Sequence, residues 1–245
     1  IGDSLEETAP WLIITTLSGG QLAHRSYKLL PDGMLYPSAD IWSVGARPDG
    51  TVAVGYSWNE NLGDRPQVAL LRVGEAAPYA KLALPVDGNV DDIALQTAAA
   101  WDGEAFAMHA YGAPPQFTLH VARVDASGKV VLPFTRYGET ANVGYGPLGH
   151  KTSTSADSGR TYVFDDAFDP LLSGHLRDGS RLPDTENGPK VTKANGIPMT
   201  SSAARAVAAD ATGGWVAWEM TPGGNPVNPV QRIDLDGNPI GTPAQ

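Results

Sequence analysis

Thr15, Tyr56, His109, Asp165 and Glu219 fall at one equivalent position of a recurring sequence unit, near the end of its second apolar stretch. A column holding Tyr, His, Asp and Glu can gather titratable groups in one place, and a scaffold that converges such groups can do acid–base work. The competing role is plainer: each residue hydrogen-bonds a neighbouring unit, because buried polar groups are normally satisfied ones. A second set, Trp42, Asp91, Asp92, Tyr145, His150 and Arg205, stands at the start of the first stretch of successive units. Trp42, Trp58, Tyr111, Tyr145 and Trp218 offer flat faces for stacking a sugar ring, with Asn59, Glu60 and Asn61 as polar partners. The expected ligand-binding set is Trp42, Trp58, Asn59, Asp92, His109, Tyr111, Tyr145, His150, Arg205 and Glu219. Trp101, Trp215 and Trp218 are expected in the core between units.

Metal chemistry has little to stand on. Asp165, Asp166 and Asp169 form the best oxygen cluster, of the type calcium takes. Asp234-Leu-Asp-Gly-Asn238 opens like a calcium loop but lacks the acidic ligand at its twelfth position, and it sits where other units simply turn. His24, His109, His120, His150 and His175 show no zinc spacing. No nucleophile elbow, phosphate loop or dinucleotide fingerprint is present. No cofactor is expected, calcium being the one ion worth testing.

The unit that carries these residues is a short strand, a turn containing Gly, and a second strand that ends in aromatic or polar residues. Its clearest copies turn at Asp49-Gly50, Asp102-Gly103, Ser158-Gly159 and Thr212-Gly213. The second strands start at 51, 104, 160 and 214, steps of 53, 56 and 54 residues, and a fainter copy begins at Trp11. Self-similarity at a fixed period near fifty signals a repeat architecture. Each full unit holds four candidate strands rich in Val, Thr and aromatics: 43–47, 51–58, 66–73 and 80–84; then 96–101, 104–111, 117–124 and 129–133; then 151–156, 160–165, 171–176 and 180–182; then 204–209, 214–220, 229–234 and 238–241. A second hairpin in each unit turns at Gly as well, including Asp125-Ala-Ser-Gly128, Arg177-Asp178-Gly179 and Asp234-Leu-Asp-Gly237.

Four antiparallel strands per unit, repeated radially, make the blade of a β-propeller. The fold expected is all-β, a five-bladed β-propeller of four-stranded antiparallel blades. Blades are expected at about 1–38, 39–87, 88–140, 141–190 and 191–245 in one domain. The Asp-Gly hairpins, aromatic strand ends and repeat length resemble the β-propeller repeats of bacterial secreted and cell-surface proteins. The sequence departs from WD repeats, since Trp101-Asp102 lies at an inner turn, and from kelch repeats, which carry paired glycines before aromatics. The first unit is short: Ile1 to Pro10 read poorly as an innermost strand, so a partner chain completing blade 1 is one expectation.

In such a ring, the loops leading into each innermost strand and those joining second to third strands share one end of the axis, the loop end. The Gly hairpins share the other, the hairpin end. The longer, more varied loops are at the loop end, where binding residues on rigid scaffolds gather. The two columns above belong to it.

Composition narrows the partners. The 245 residues carry 17 basic and 27 acidic side chains, a net charge of −10. That balance excludes nucleic acid, which needs clustered Lys and Arg, and disfavours an anionic membrane surface. With 28 Gly and 20 Pro but 42% hydrophobic residues, the chain is folded and heavily punctuated by turns. It has no Cys, which rules out disulfides and thiolate metal sites. No apolar run reaches the roughly 18 residues of a membrane span. The start at Ile1, not Met, gives the expectation of a secreted, periplasmic or cell-surface location.

The leading functional expectation is a non-enzymatic binding or assembly module, exported, recognising a glycan or protein through the loop end. One alternative is a glycoside hydrolase like the five-bladed arabinanase and invertase families, whose carboxylates flank the glycosidic bond at the axial mouth. That resemblance would give the catalytic role to Asp40, Asp92, Asp165 and Glu219, although none sits in a signature of those families. A second alternative is a structural subunit of a larger surface assembly.

Overall fold

A computed structural model describes residues 11–18, 21–28, 41–59, 64–75, 77–85, 93–112, 117–140, 152–165, 171–182, 203–219 and 225–244. Alternating apolar residues and tight turns leave strands as the only regular elements among them. In chain order these are β1 (Trp11–Ser18), β2 (Gln21–Lys28), β3 (Ile41–Ala46), β4 (Thr51–Asn59), β5 (Asp64–Arg72) and β6 (Ala80–Ala83). The third unit supplies β7 (Ile93–Trp101), β8 (Ala105–Gly112), β9 (Phe117–Asp125) and β10 (Val130–Thr140). Then follow β11 (Thr152–Asp157), β12 (Arg160–Asp165) and β13 (Leu171–Leu176), and last β14 (Ala203–Asp210), β15 (Gly213–Glu219), β16 (Val230–Ile233) and β17 (Pro239–Ala244).

Every sheet is an antiparallel meander in sequence order. Sheets β3–β6, β7–β10 and β14–β17 have four strands, β11–β13 has three, and β1–β2 is a two-stranded hairpin. The fourth strand expected at 180–182 is reduced to a single bridge between His175 and Arg181. Strand β3 lies against β7, β7 against β11, and β11 against β14, so the first strands of successive sheets are neighbours. This is the radial arrangement of propeller blades.

The hairpins hold their shape through Asp side chains. Asp49 Oδ1 accepts the Thr51 N–H at 3.0 Å, and Asp102 Oδ1 accepts those of Glu104 and Ala105 at 3.0 and 2.9 Å. Asp234 Oδ1 does the same for Asp236 and Asn238, at 2.9 and 2.8 Å, so the segment that opens like a calcium loop caps a turn. Ser158 and Gly159 both take positive φ, 51° and 78°, as a two-residue hairpin turn requires. Gly213 is dictated by space too: a Cβ there would stand 2.2 Å from the Ile233 carbonyl oxygen.

The blades pack through faces of unlike chemistry. Between β3–β6 and β7–β10 the core is apolar, with Ala53, Val68 and Leu70 meeting Phe106 and Met108. Between β11–β13 and β14–β17 it is apolar again, with Tyr162 and Leu172 against Val216, Trp218 and Ile233. The seam between these two pairs, joining β7–β10 to β11–β13, is built from His109, Tyr137 and His175 with Asp102, Arg123 and Arg177 at the hairpin end. Of the tryptophans expected in the core, Trp218 is fully buried and Trp101 half-buried. Trp215 is 47% exposed, because it falls on the opposite face of β15 from Trp218.

Candidate functional site

Strand register fixes where the candidate residues stand. Asp165 closes β12, opposite Thr152 at the start of β11, and Glu219 closes β15, opposite Ala203 at the start of β14. Both therefore mark the loop end of second strands in neighbouring blades, and β12 also lies against β14. Glu219 is half-buried there. Their column partners differ: Tyr56 and His109 lie within β4 and β8, opposite Ile41 and Ala98, and Thr15 is exposed on β1. Trp42 and Arg205 lie near the starts of β3 and β14, and Trp58, Asn59 and Tyr111 near the ends of β4 and β8. Asp40, Asp91, Asp92, Tyr145, His150, Asp166 and Asp169 lie outside the described residues. Among those described, no three metal-ligating side chains come together.

His109 is only 2% exposed and faces a histidine that sequence reasoning passed over. His175 Nδ1–H donates to the Leu176 carbonyl at 2.8 Å. A carbonyl only accepts, so in the neutral ring Nε2 of His175 is bare. His109 Nε2–H donates to it at 3.3 Å, which leaves His109 Nδ1 buried with no hydrogen-bond partner. Burial pushes both rings' pKa values down, His175 to about 4, with the mutual repulsion of the two rings adding to the effect on His109. The pair is thus a neutral blade-to-blade contact with Tyr137 packed beside it, the plainer of the two roles this column could fill.

The hairpin end carries the densest charge network. Asp102, 2% exposed, receives Arg123 Nε on Oδ2 at 2.7 Å and two backbone N–H groups on Oδ1. Burial works to raise its pKa, but the Arg123 hydrogen bond and those backbone donors overcome it and hold the carboxyl below its usual range. Arg177 crosses from the next blade, donating to the Asp102 carbonyl at 3.0 Å and pairing with Glu104. A cleft of about 550 Å³ opens alongside, walled by Val44, Ala46 and Trp101 and by Asp157, Ser158 and Arg177. Asp102 is fully engaged by its partners, so it serves as a clamp and not as a proton donor. No simple spacing links Asp102, Arg123 and Arg177; only the pairing of β8 with β9 and of neighbouring blades unites them.

No protein family matches the sequence, and no curated protein matches it by sequence. Solved structures do resemble it in shape. The periplasmic gluconolactonase of Pseudomonas aeruginosa superposes with a TM-score of 0.53 at 14% identity, over 94% of this chain and 62% of that one. The fold is shared. The chain thus spans less than two thirds of the gluconolactonase chain's length. Weaker likenesses are a GH130-family glycoside hydrolase that targets β-1,2 mannosidic linkages in Candida mannan (TM-score 0.44, 11% identity, 84% of this chain and 71% of that one) and a glycosyl hydrolase from Bacteroides ovatus (0.42, 12%, 84% and 71%).

The gluconolactonase likeness corrects the leading functional expectation of a non-enzymatic binding or assembly module: at 14% identity what is shared is the architecture, and it is one that an enzyme uses. Among the described residues no helix is long and apolar enough to cross a membrane.

Proposed function

We propose that the chain is a hydrolase of the five-bladed propeller type, exported, which cleaves a glycosidic bond at the loop end of its axis. The observation that carries the reading is the placement of two acidic residues. Asp165 and Glu219 close equivalent strands of neighbouring blades, at the end where the first strands of those blades begin. Glycoside hydrolysis needs such a pair. One carboxylic acid gives its proton to the oxygen of the leaving sugar as the C–O bond breaks. The other carboxylate either takes a proton from the attacking water or attacks the sugar carbon itself, and the separation of the two sets which. Asp40 and Asp92 are the remaining acidic candidates. Trp42, Trp58, Tyr111 and Tyr145 would stack on sugar rings, with Asn59, His150 and Arg205 orienting hydroxyls.

The test is turnover of a panel of aryl glycosides and oligosaccharides by the whole chain, repeated with Asp165→Asn and Glu219→Gln. The reading expects hydrolysis of at least one substrate and a loss of about 10²–10⁴-fold in kcat for each variant. No turnover of any glycoside, or turnover indifferent to both substitutions, contradicts it.

A further inference from the structure

The blade seams differ in what acid can do to them. The apolar clusters between β3–β6 and β7–β10 and between β11–β13 and β14–β17 hold no group that titrates between pH 4 and 7. These blades thus form two halves, β3–β10 and β11–β17, each with its own core. Midway along the strands the halves meet at His109 and His175, 2% and 1% exposed, with Tyr137 beside them. The hydrogen bonds of this pair leave no good place for added protons. His175 Nδ1–H is committed to the Leu176 carbonyl, and one proton already lies between the two Nε2 atoms. A first added proton therefore ends on His109 Nδ1, buried with no partner, whichever ring carries the charge. A second sets two N–H groups and two charges head-on at 3.3 Å.

We infer that this seam is an acid-operated joint: on acidification the two halves part at His109 and His175 while each keeps its own core. The groups around the pair do not neutralise the added charge. Asp102 and Glu104, from the β7–β8 turn, are engaged by Arg123 of β9 and by Arg177, which follows β13. Asp178 is exposed and caps its own turn through Ser180. Tyr137 of β10 is uncharged in this range, and β12 sets Thr161 opposite His175. The third buried histidine, His120, pairs with Ala110 and so lies on the other face of its sheet. The Asp102 carboxyl is held below its usual range, so the clamp at the hairpin end stays ionised while the histidines titrate. Burial pushes both ring pKa values down in the closed seam. In the parted state the rings meet water and titrate near 6.5, so opening takes up as many as two protons.

The chain has no cysteine, so one introduced thiol reports its own surroundings. Val121, fully buried opposite His109, gives the probe Val121→Cys. Val68→Cys and Val216→Cys, each fully buried in one apolar seam, are the controls. Labelling of the full chain by a pyridyl disulfide is followed from pH 7 to 5, each rate divided by that of the same thiol in the urea-unfolded chain. The expected rise at position 121 is about 25-fold if opening takes up one proton and about 600-fold if it takes up two, with both controls nearly flat. His175→Gln in the Val121→Cys chain is expected to cut that rise at least about tenfold. No rise at 121 above the controls overturns the inference, as does an equal rise at all three positions, the mark of global unfolding. A rise undiminished by His175→Gln overturns it too. The comparison of the three probes needs no histidine variant, so it decides even where His175→Gln does not fold. The result is independent of whether the chain hydrolyses glycosides.

Discussion

Asp102 and Arg123 form a buried ion pair, Oδ2 to Nε at 2.7 Å, and through it the β7–β8 turn is tied to β9. Arg123 Nη1 then donates to the Arg177 carbonyl at 3.0 Å, which carries the tie into the next blade. Removing one partner of a buried pair strands the other charge, so Asp102→Ala is expected to lower unfolding free energy by about 3–5 kcal/mol. Urea denaturation at neutral pH measures it. A loss under about 1 kcal/mol would mean that the pair is screened like a surface one. The lowered carboxyl pKa gives the sign of its pH dependence: the contribution is full above the ordinary carboxylate range and is lost as pH falls through the folded value.

The His109–His175 contact sets a second pH dependence, at higher pH. Both rings have depressed pKa values, so the unfolded chain takes up protons that the folded seam refuses. Stability is therefore full above the ordinary histidine value near 6.5 and falls as pH drops towards the folded value of about 4 for His175. For that ring alone the loss amounts to about 3 kcal/mol. The charges around it are mixed, with Asp102 and Asp178 favouring the cation and Arg123 opposing it. His175→Gln should flatten the urea midpoint between pH 7.5 and 5, whereas an unchanged slope would place the titration elsewhere.

Gly213 and Gly74 both take positive φ, at 137° and 97°, yet their surroundings differ. Alanine at 213 meets the Ile233 carbonyl and the Asp234 backbone, while nothing lies within 4 Å of a Cβ at 74. Gly74→Ala is expected to cost about 1 kcal/mol from backbone strain alone, and Gly213→Ala clearly more, about 3 kcal/mol. Thermal melts of the two variants compare them directly; equal losses would show that the β14–β15 turn relaxes.

Trp218 and Trp215 are three residues apart and belong to opposite faces of β15. Trp218→Ala opens a cavity in the seam with the preceding blade and is expected to lose about 3–5 kcal/mol, whereas Trp215→Ala, at an exposed position, should stay within about 1 kcal/mol. Chemical denaturation separates them.

Much of this fold was legible in the sequence, because strand periodicity and Asp/Gly turn chemistry are local. The expected strands at 160–165 and 171–176 match β12 and β13 residue for residue, and those at 51–58 and 204–209 differ from β4 and β14 by a residue at the ends. What sequence reasoning missed was non-local. Strand β2 carries Gln21, His24, Arg25, Ser26 and Lys28, too polar to be read as a strand until it pairs with β1. The column alignment placed His109 but gave no sign of His175, 66 residues away, because the two meet only once adjacent blades pack. Trp215 was expected in the core between units, yet it is 47% exposed; the sequence has no signal for which of the two faces of β15 a neighbouring blade covers.

The most direct test of the central claim is a crystal structure of Glu219→Gln soaked with a glycoside that the wild type turns over. The account predicts sugar bound at the loop end, between Asp165 and position 219, with its glycosidic oxygen facing them. Sugar seated instead in the hairpin-end cleft beside Asp157, Ser158 and Arg177, with the loop end empty, would contradict it.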